Sequence, residues 1–317
     1  MWAVLFPGQG SQTIGMGKFY YEQFQTARRL FEEASDELNI HFKKLCFEGP
    51  EEELTLTQNA QPAIVLVSSI AWHCLSEEMD LNNIKYVAGH SVGEYSALVS
   101  TGTLSIIDAL KAVRKRGLYM SESCPPGTGG MSALIGPSTL EAKQFCQWVE
   151  EQSGYSPLEA ANFNSPEQTV LSGVLPALNW AKENYQQYSF SSKKIRIIPL
   201  KVSAPFHSSL MKSASKQMES FLKTLSFKKP DKIIVQNTTA KPQNDPNTIQ
   251  KNLVDQVKDP VLWVQSMQYL FQQGCQSFLE LGEGKTLAGL MKKTDDSKSV
   301  FHFHSMLKNR SIETKSD

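Results

Sequence analysis

Residues 86–102, YVAGHSVGEYSALVSTG, run from a short apolar stretch through a turn with one serine between two glycines into a helix-like pattern that ends at Gly102. G-x-S-x-G between a strand and a helix is a nucleophile elbow. The turn lifts the serine hydroxyl above a sheet, and the glycines let strand and helix approach closely. On its own the pattern is a weak signal, because a serine in an ordinary turn is commoner. With KYVA leading in and EYSALV leading out, Ser91 reads as a nucleophile and the segment as a strand–turn–helix unit of an α/β fold.

The rest of the chain repeats that alternation. WAVLF (2–6), KIIVQN (232–237) and SFLEL (277–281) are strand-like runs, each followed by a Gly, Asn or Pro turn signal. Helix patterns cover 19–38, 62–79 with Pro62 in its first turn, 106–120 and 208–225. Such alternation predicts a mostly parallel sheet covered on both faces, with the site built from loops at the carboxyl ends of the strands. A second pattern is nested inside. Strand MSALI, helix 138–151, strands LEAANF and TVLSG, helix 176–187 and strand KIRIIP follow one another between 131 and 199. That βαββαβ order is ferredoxin-like, and CPPGTGG at 124–130 reads as the hinge into it. The expected fold is a large α/β-hydrolase-like lobe, residues 1–126 and 201–317, with a ferredoxin-like lobe, residues 127–200, inserted in it. The cleft between them is the default pocket.

Composition narrows the function classes. Thirty-two basic residues balance 32 acidic ones, so nothing favours a nucleic-acid binder, whose affinity rests on a basic surplus. The apolar run 63–72 is interrupted by Ser68 and Ser69 and falls short of the roughly 20 residues of a membrane span. Five scattered cysteines with no C-x-x-C pair, and a start without a basic, apolar leader, fit a reduced, cytoplasmic protein. The polar tail after about Lys308 reads as loosely held.

A serine needs a base. His41 and His73 fall within helix patterns, and His90 shares the turn of Ser91 and should point elsewhere. His302 and His304 alternate with phenylalanines as in a strand, and no third ligand for a metal is in view, so no metal is expected. His207 follows SAPF in a turn that opens a helix, on the sheet edge expected for Ser91. The loop FPGQGSQ after the first strand is rich enough in glycine to bring amides to an oxyanion. Its glycines have the wrong spacing for a dinucleotide fingerprint, and GEGKT at 282–286 lacks the first glycine of a phosphate loop. In the helix at 106–120 Lys115 lies opposite the apolar face, and Arg114 and Arg116 flank that face. Periodicity does not choose between them.

FPGQGSQ, GHSVGEYSAL, VRKRGLYM, NFNSPEQTVLSG, SAPFHSSLM, DPVLW and LELGEGKTLAGL occur in an order that resembles malonyl-CoA:acyl carrier protein transacylases and the related acyltransferase domains of fatty acid and polyketide synthases. The likeness spans nearly the whole chain. It implies that Ser91 is the acylated nucleophile and His207 its general base, held by the backbone carbonyl of Gln256 in place of the usual acid. It further implies an oxyanion hole from the amides of Gln9 and Val92. It assigns Arg116 to the malonyl carboxylate and Phe206 to the preference for malonyl over methylmalonyl. The implied partners are malonyl-CoA and an acyl carrier protein, with coenzyme A a substrate and no cofactor. Lys285, Lys292 and Lys293 are candidates for steering an acidic carrier. Val92 replaces a common leucine, and Glu283 a common proline, without removing a functional group. An acyl hydrolase would use the same elbow with water as acceptor. Glu94, in the first turn after the elbow, reads as complementing the positive helix end.

Overall fold

The computed structural model describes residues 1–125, 127–192 and 194–307. The polar tail, and Pro126 within the expected hinge, lie outside the described residues. In chain order the elements are β1 (Trp2–Phe6), α1 (Lys18–Gln23), α2 (Gln25–Leu38), α3 (Phe42–Phe47), α4 (Glu51–Thr55) and α5 (Thr57–Glu78). Then come β2 (Ile84–Gly89), α6 (Gly93–Ser100), α7 (Ile106–Glu122), β3 (Gly129–Ile135), α8 (Thr139–Ser153), β4 (Leu158–Ser165), β5 (Gln168–Val174), α9 (Leu175–Asn184) and β6 (Arg196–Pro199). The chain continues through α10 (Lys212–Leu222), β7 (Ile233–Val235), β8 (Pro242–Gln243), α11 (Pro246–Gln256), α12 (Trp263–Gln272), β9 (Ser277–Glu280), α13 (Thr286–Thr294) and β10 (Ser299–His302).

The larger sheet has the order β10-β9-β1-β2-β7-β8, parallel except for β8. Side chains alternate across a strand, and both faces of this sheet are covered. Val4, Phe6 and Val87 face a core shared with α2, α5, α6 and α7. Ala3, Leu5, Tyr86 and Ala88 face a second core with α12 and α13. The smaller sheet is antiparallel in the order β4-β5-β3-β6, the ferredoxin-like arrangement. Leu134 and Leu171 turn to α8 and α9, whereas Met131 and Val170 face the larger lobe. The smaller sheet is tied to the segment before α12 by backbone hydrogen bonds, Val261 N–H donating to Ala161 O (2.8 Å) and Phe163 N–H to Val261 O (2.9 Å), and to α13 by Lys293 Nζ donating to Gln168 Oε1 (2.8 Å).

Three expected helices differ in detail. The pattern at 19–38 forms two helices, because Phe24 is extended (φ −119°, ψ 131°). Arg28 donates to Tyr21 O (2.9 Å) and Glu22 O (3.1 Å), two carbonyls freed at that break. Pro62 lies inside α5 and not at its start. Proline has no N–H for the carbonyl four residues back, here Gln58, and Arg114 Nη1 donates to that carbonyl instead (2.6 Å). The segment at 208–225 opens with a 3₁₀ turn, Ser209–Met211, before α10.

Arg114 also donates to Asn59 Oδ1, so it is committed to the α5–α7 contact. That contact is close at Gly117, where a Cβ would stand 2.7 Å from Gln58 Cα and from Thr57 O. A Gly→Ala change in a helix gains about 1 kcal/mol of intrinsic propensity, but overpacking against backbone costs about 1–3 kcal/mol or more. The steric cost therefore wins at Gly117. Gly289 in α13 is exposed, with nothing within 4 Å of its would-be Cβ. Urea unfolding should show G117A destabilised by about 1–2 kcal/mol and G289A stabilised by up to about 1 kcal/mol. Equal effects at the two positions would refute this packing account.

Candidate active site

Strands β1, β2, β7 and β9 are adjacent and parallel, so the loops that leave their carboxyl ends meet along one edge. Ser91 sits there, between β2 and α6, with φ 51°, a left-handed value uncommon outside glycine. Both flanking glycines are sterically required. A Cβ on Gly89 would fall 2.0 Å from the carbonyl carbon of Gly93, and one on Gly93 would fall 2.3 Å from Phe6 O. The turn closes only because neither residue has a side chain.

Ser91 Oγ is 2.7 Å from His207 Nε2, and His207 Nδ1 is 2.7 Å from the backbone oxygen of Gln256. A carbonyl only accepts, so the proton resides on Nδ1 and the Nε2 lone pair receives the serine O–H. The carbonyl is available for a reason visible in the sequence. Gln256 closes α11, and the residue four positions on is Pro260, which has no N–H to donate. Burial first, and the nearby Arg116 guanidinium second, push the His207 pKa down to about 3. The imidazole is thus neutral, with its Nε2 lone pair free to take a proton.

Arg116 is 1% exposed and points into the same site. Nη1 donates to Gln61 Oε1 (2.9 Å); Nη2 donates to Gln256 Oε1 (3.1 Å) and to Ser91 Oγ (3.2 Å). None of these acceptors is a carboxylate, and Nε has no partner. The choice that helical periodicity left open between two arginines is settled in position: Arg116 reaches Ser91, and Arg114 does not. The amides of Gln9 and Val92 donate to no protein acceptor among the described residues, whereas the neighbouring Gly93 amide bonds His90 O (2.9 Å). A cavity of about 180 Å³ joins Gln9, Ser91, Arg116 and His207; Phe206, Met131 and Val170 form apolar wall, and α13 contributes Leu287 and Leu290.

His90 does point away from the nucleophile. Its Nε2 donates to Asn164 Oδ1 of the smaller sheet (2.7 Å), and its ring packs on Trp263. Glu94 stands in the first turn of α6, and it is 1% exposed and accepts from Gln236 Nε2 (2.9 Å) and the Asn237 backbone amide (2.7 Å). Burial raises its pKa to about 7. Asn237 and Gln61 had not been singled out. The available signal for Asn237 was its place in KIIVQN, two polar residues at the carboxyl end of a parallel strand. His302 Nδ1 lies 3.8 Å from Glu280, and no group of three or more His, Cys, Asp or Glu side chains among the described residues could hold a metal ion.

A family model described as the acyl transferase domain matches residues 3–309, and the chain belongs to that family. Among its relatives is the malonyl CoA-acyl carrier protein transacylase of Bacillus subtilis, 42% identical over 295 residues that cover 92% of this chain and 90% of the relative. The transacylase of the same name from Coxiella burnetii superposes with a TM-score of 0.90 at 33% identity, covering 96% of this chain and 93% of that one. A malonyl-transacylase solved with its type II polyketide synthase acyl-carrier protein superposes at 0.89, with 35% identity and 95% of each chain covered.

At about pH 5, where a free imidazole is mostly protonated, ¹⁵N NMR of His207 should still show the neutral Nδ1–H tautomer. Replacing Arg116 by Met removes a cation that disfavours imidazolium, so the protonation midpoint should move up from its value near 3. A wild-type midpoint near the ordinary 6.5 would overturn this electrostatic picture.

Proposed function

We propose that this chain transfers a malonyl group from malonyl-CoA to the phosphopantetheine thiol of an acyl carrier protein through a malonyl-serine intermediate. Arg116 carries the reading: a buried guanidinium with no carboxylate partner and a free Nε stands beside the nucleophile's oxygen. A cation taken out of water this way is costly unless an anion arrives, and an acyl group with a free carboxylate supplies one. Two-point pairing with a planar carboxylate is what guanidinium does well.

In the first half-reaction His207 Nε2 takes the Ser91 proton while Oγ bonds to the thioester carbon. The oxyanion is held by the amides of Gln9 and Val92, and the tetrahedral species collapses with departure of the CoA thiol, protonated by His207. In the second, His207 accepts the proton of the carrier's thiol, whose sulfur attacks the ester carbon. The Ser91 oxygen then leaves and regains its proton from His207. The Gln256 carbonyl orients the imidazole throughout. Phe206 closes the acyl pocket and restricts the α-carbon substituent. Every bond made or broken has a protein group assigned to it, so the reading includes no cofactor beyond the coenzyme A thioester as substrate.

The cleft lies between the lobe formed by residues 1–126 with 201–317 and the inserted lobe, residues 127–200. Exposed Lys285, Lys292 and Lys293 stand on and beside α13, whose other face lines the cavity, and they rim the approach for an acidic carrier. Five free, buried thiols support a reducing, cytoplasmic setting.

S91A should form no covalent malonyl adduct, as read by mass spectrometry after mixing with malonyl-CoA. A stable adduct in that variant would remove Ser91 from this role. R116A should slow malonyl transfer by about 2–5 kcal/mol in kcat/KM, roughly 30-fold to several-thousand-fold, the scale for truncating a buried charge pair. Acetyl transfer should be spared; an equal loss for both acyl groups would show that Arg116 does not read the carboxylate.

A further inference from the structure

Asn237 stands two residues beyond the end of β7 and is fully buried. Its side chain meets the elbow on both sides of His90: Oδ1 accepts the Ser91 N–H (2.7 Å), and Nδ2 donates to Gly89 O (2.7 Å). Oδ1 also accepts from Gln256 Nε2 (3.3 Å), and that same Nε2 donates to Ser91 O (3.0 Å). The Asn237 amide is itself fixed by Glu94 Oε2 (2.7 Å). One carboxamide therefore brackets a serine held at a positive φ, and it touches the residue whose backbone carbonyl orients His207.

We propose that Asn237 is a positioning residue for the reaction: it sets the Ser91–His207 register and aims the following Val92 amide. The proposal rests on the acyl-transfer reading above and extends it to a residue that touches no substrate. The pattern demands one acceptor and one donor on a single planar group, which a carboxamide provides. A carboxylate keeps the acceptor but turns a lone pair toward Gly89 O. A protonated carboxyl restores both functions.

That chemistry gives a signature that loss of stability alone would not. N237A, N237D and a control, Q236M, are compared with wild type. Gln236 is equally buried in the same network and bonds Glu94, Ile249 O and Asn252, but it has no bond to residues 89–91. The readouts are the rate at which a fluorophosphonate labels Ser91, malonyl transfer per labelable serine, and Tm. N237A should lose about 100-fold in both rates, the order expected when a nucleophile is displaced by about an ångström, with the malonyl-CoA KM little changed. Q236M should lower Tm and keep the wild-type rates per labelable serine.

N237D should be slow in alkaline buffer and recover toward wild type as pH falls through the pKa of the introduced carboxyl, while the N237A ratio to wild type stays flat. Glu94, Arg116, His207 and His90 are the titratable or charged groups facing position 237. All are present in wild type, so the variant-to-wild-type ratio reports the new carboxyl together with its coupling to Glu94. Wild-type rates per labelable serine in N237A, or a pH-independent ratio in N237D, would overturn the proposal. Should N237A not fold, the N237D ratio decides alone. Labelling needs no acyl donor: wild type that labels normally but transfers no malonyl group would sink the functional reading, leaving Asn237 to be judged on labelling.

Discussion

A buried guanidinium with no carboxylate hydrogen-bonded to it organises this site. Desolvating a charge costs several kcal/mol even in a polarisable interior, and the amide oxygens of Gln61 and Gln256 offset only part of that cost for Arg116. The unmet remainder has two consequences. On the proposed function it draws the acyl carboxylate to the place where Nε lacks a partner. It also acts with burial to keep His207 neutral, because a second cation nearby is disfavoured. Anion selection and readiness of the base are thus two results of one charge.

Holding that charge, the nucleophile and the base together falls to the carboxyl edge of the larger sheet. β2 delivers Ser91, the end of β7 delivers Asn237, and α11 delivers Gln256, whose side chain binds Arg116 and Ser91 O while its backbone oxygen binds His207. The smaller sheet closes the other side of the cavity through Met131, Asn162, Asn164 and Val170. It is joined to the elbow by the His90–Asn164 bond. Displacement of the smaller lobe would therefore reach the residue adjacent to the nucleophile without passing through the substrate.

Much of this was legible in the chain because it rests on local rules. Alternating apolar strands and helix patterns led to both sheets, and G-x-S-x-G in its context led to Ser91. The boundaries that failed did so where a long-range contact overrode a local one. Pro62 by local rules marks a helix start, but Arg114, more than fifty positions away, takes over the carbonyl that proline leaves unpaired, and the helix runs through. Glu94 occupies the first turn its position predicts, and Gln236 and Asn237, just beyond β7, hold its carboxyl group in the interior, which no local rule announces. Helical periodicity left two arginines equivalent. The family resemblance points to Arg116, and the packing of α7 against α5 gives the physical distinction between the arginine that caps a broken helix bond and the one that reaches Ser91. The sequence marks Asn237 only by its place in KIIVQN, and its role does not follow from that place, since its partners come from the elbow, α6 and α11.

The use of a peptide carbonyl where a Ser–His–acid triad has a carboxylate follows from the cation. An ionised acid at the Gln256 position would orient the imidazole equally well, but it would lie within reach of Arg116, whose Nη2 already bonds Gln256 Oε1 at 3.1 Å. The two would pair, and a substrate carboxylate would then compete with a permanent one. A neutral carbonyl at a helix C-terminus keeps the negative end of a dipole toward His207, which favours the imidazolium that forms during proton transfer, and adds no full charge. Pro260 makes this arrangement possible by denying Gln256 O its helical partner. The nearest buried carboxylate, Glu94, obeys the same constraint. It is bound through Gln236 and Asn237, and burial raises its pKa to about 7. Keeping the arginine free for an incoming anion, and supplying orientation from dipoles instead of charges, are therefore one design requirement met twice.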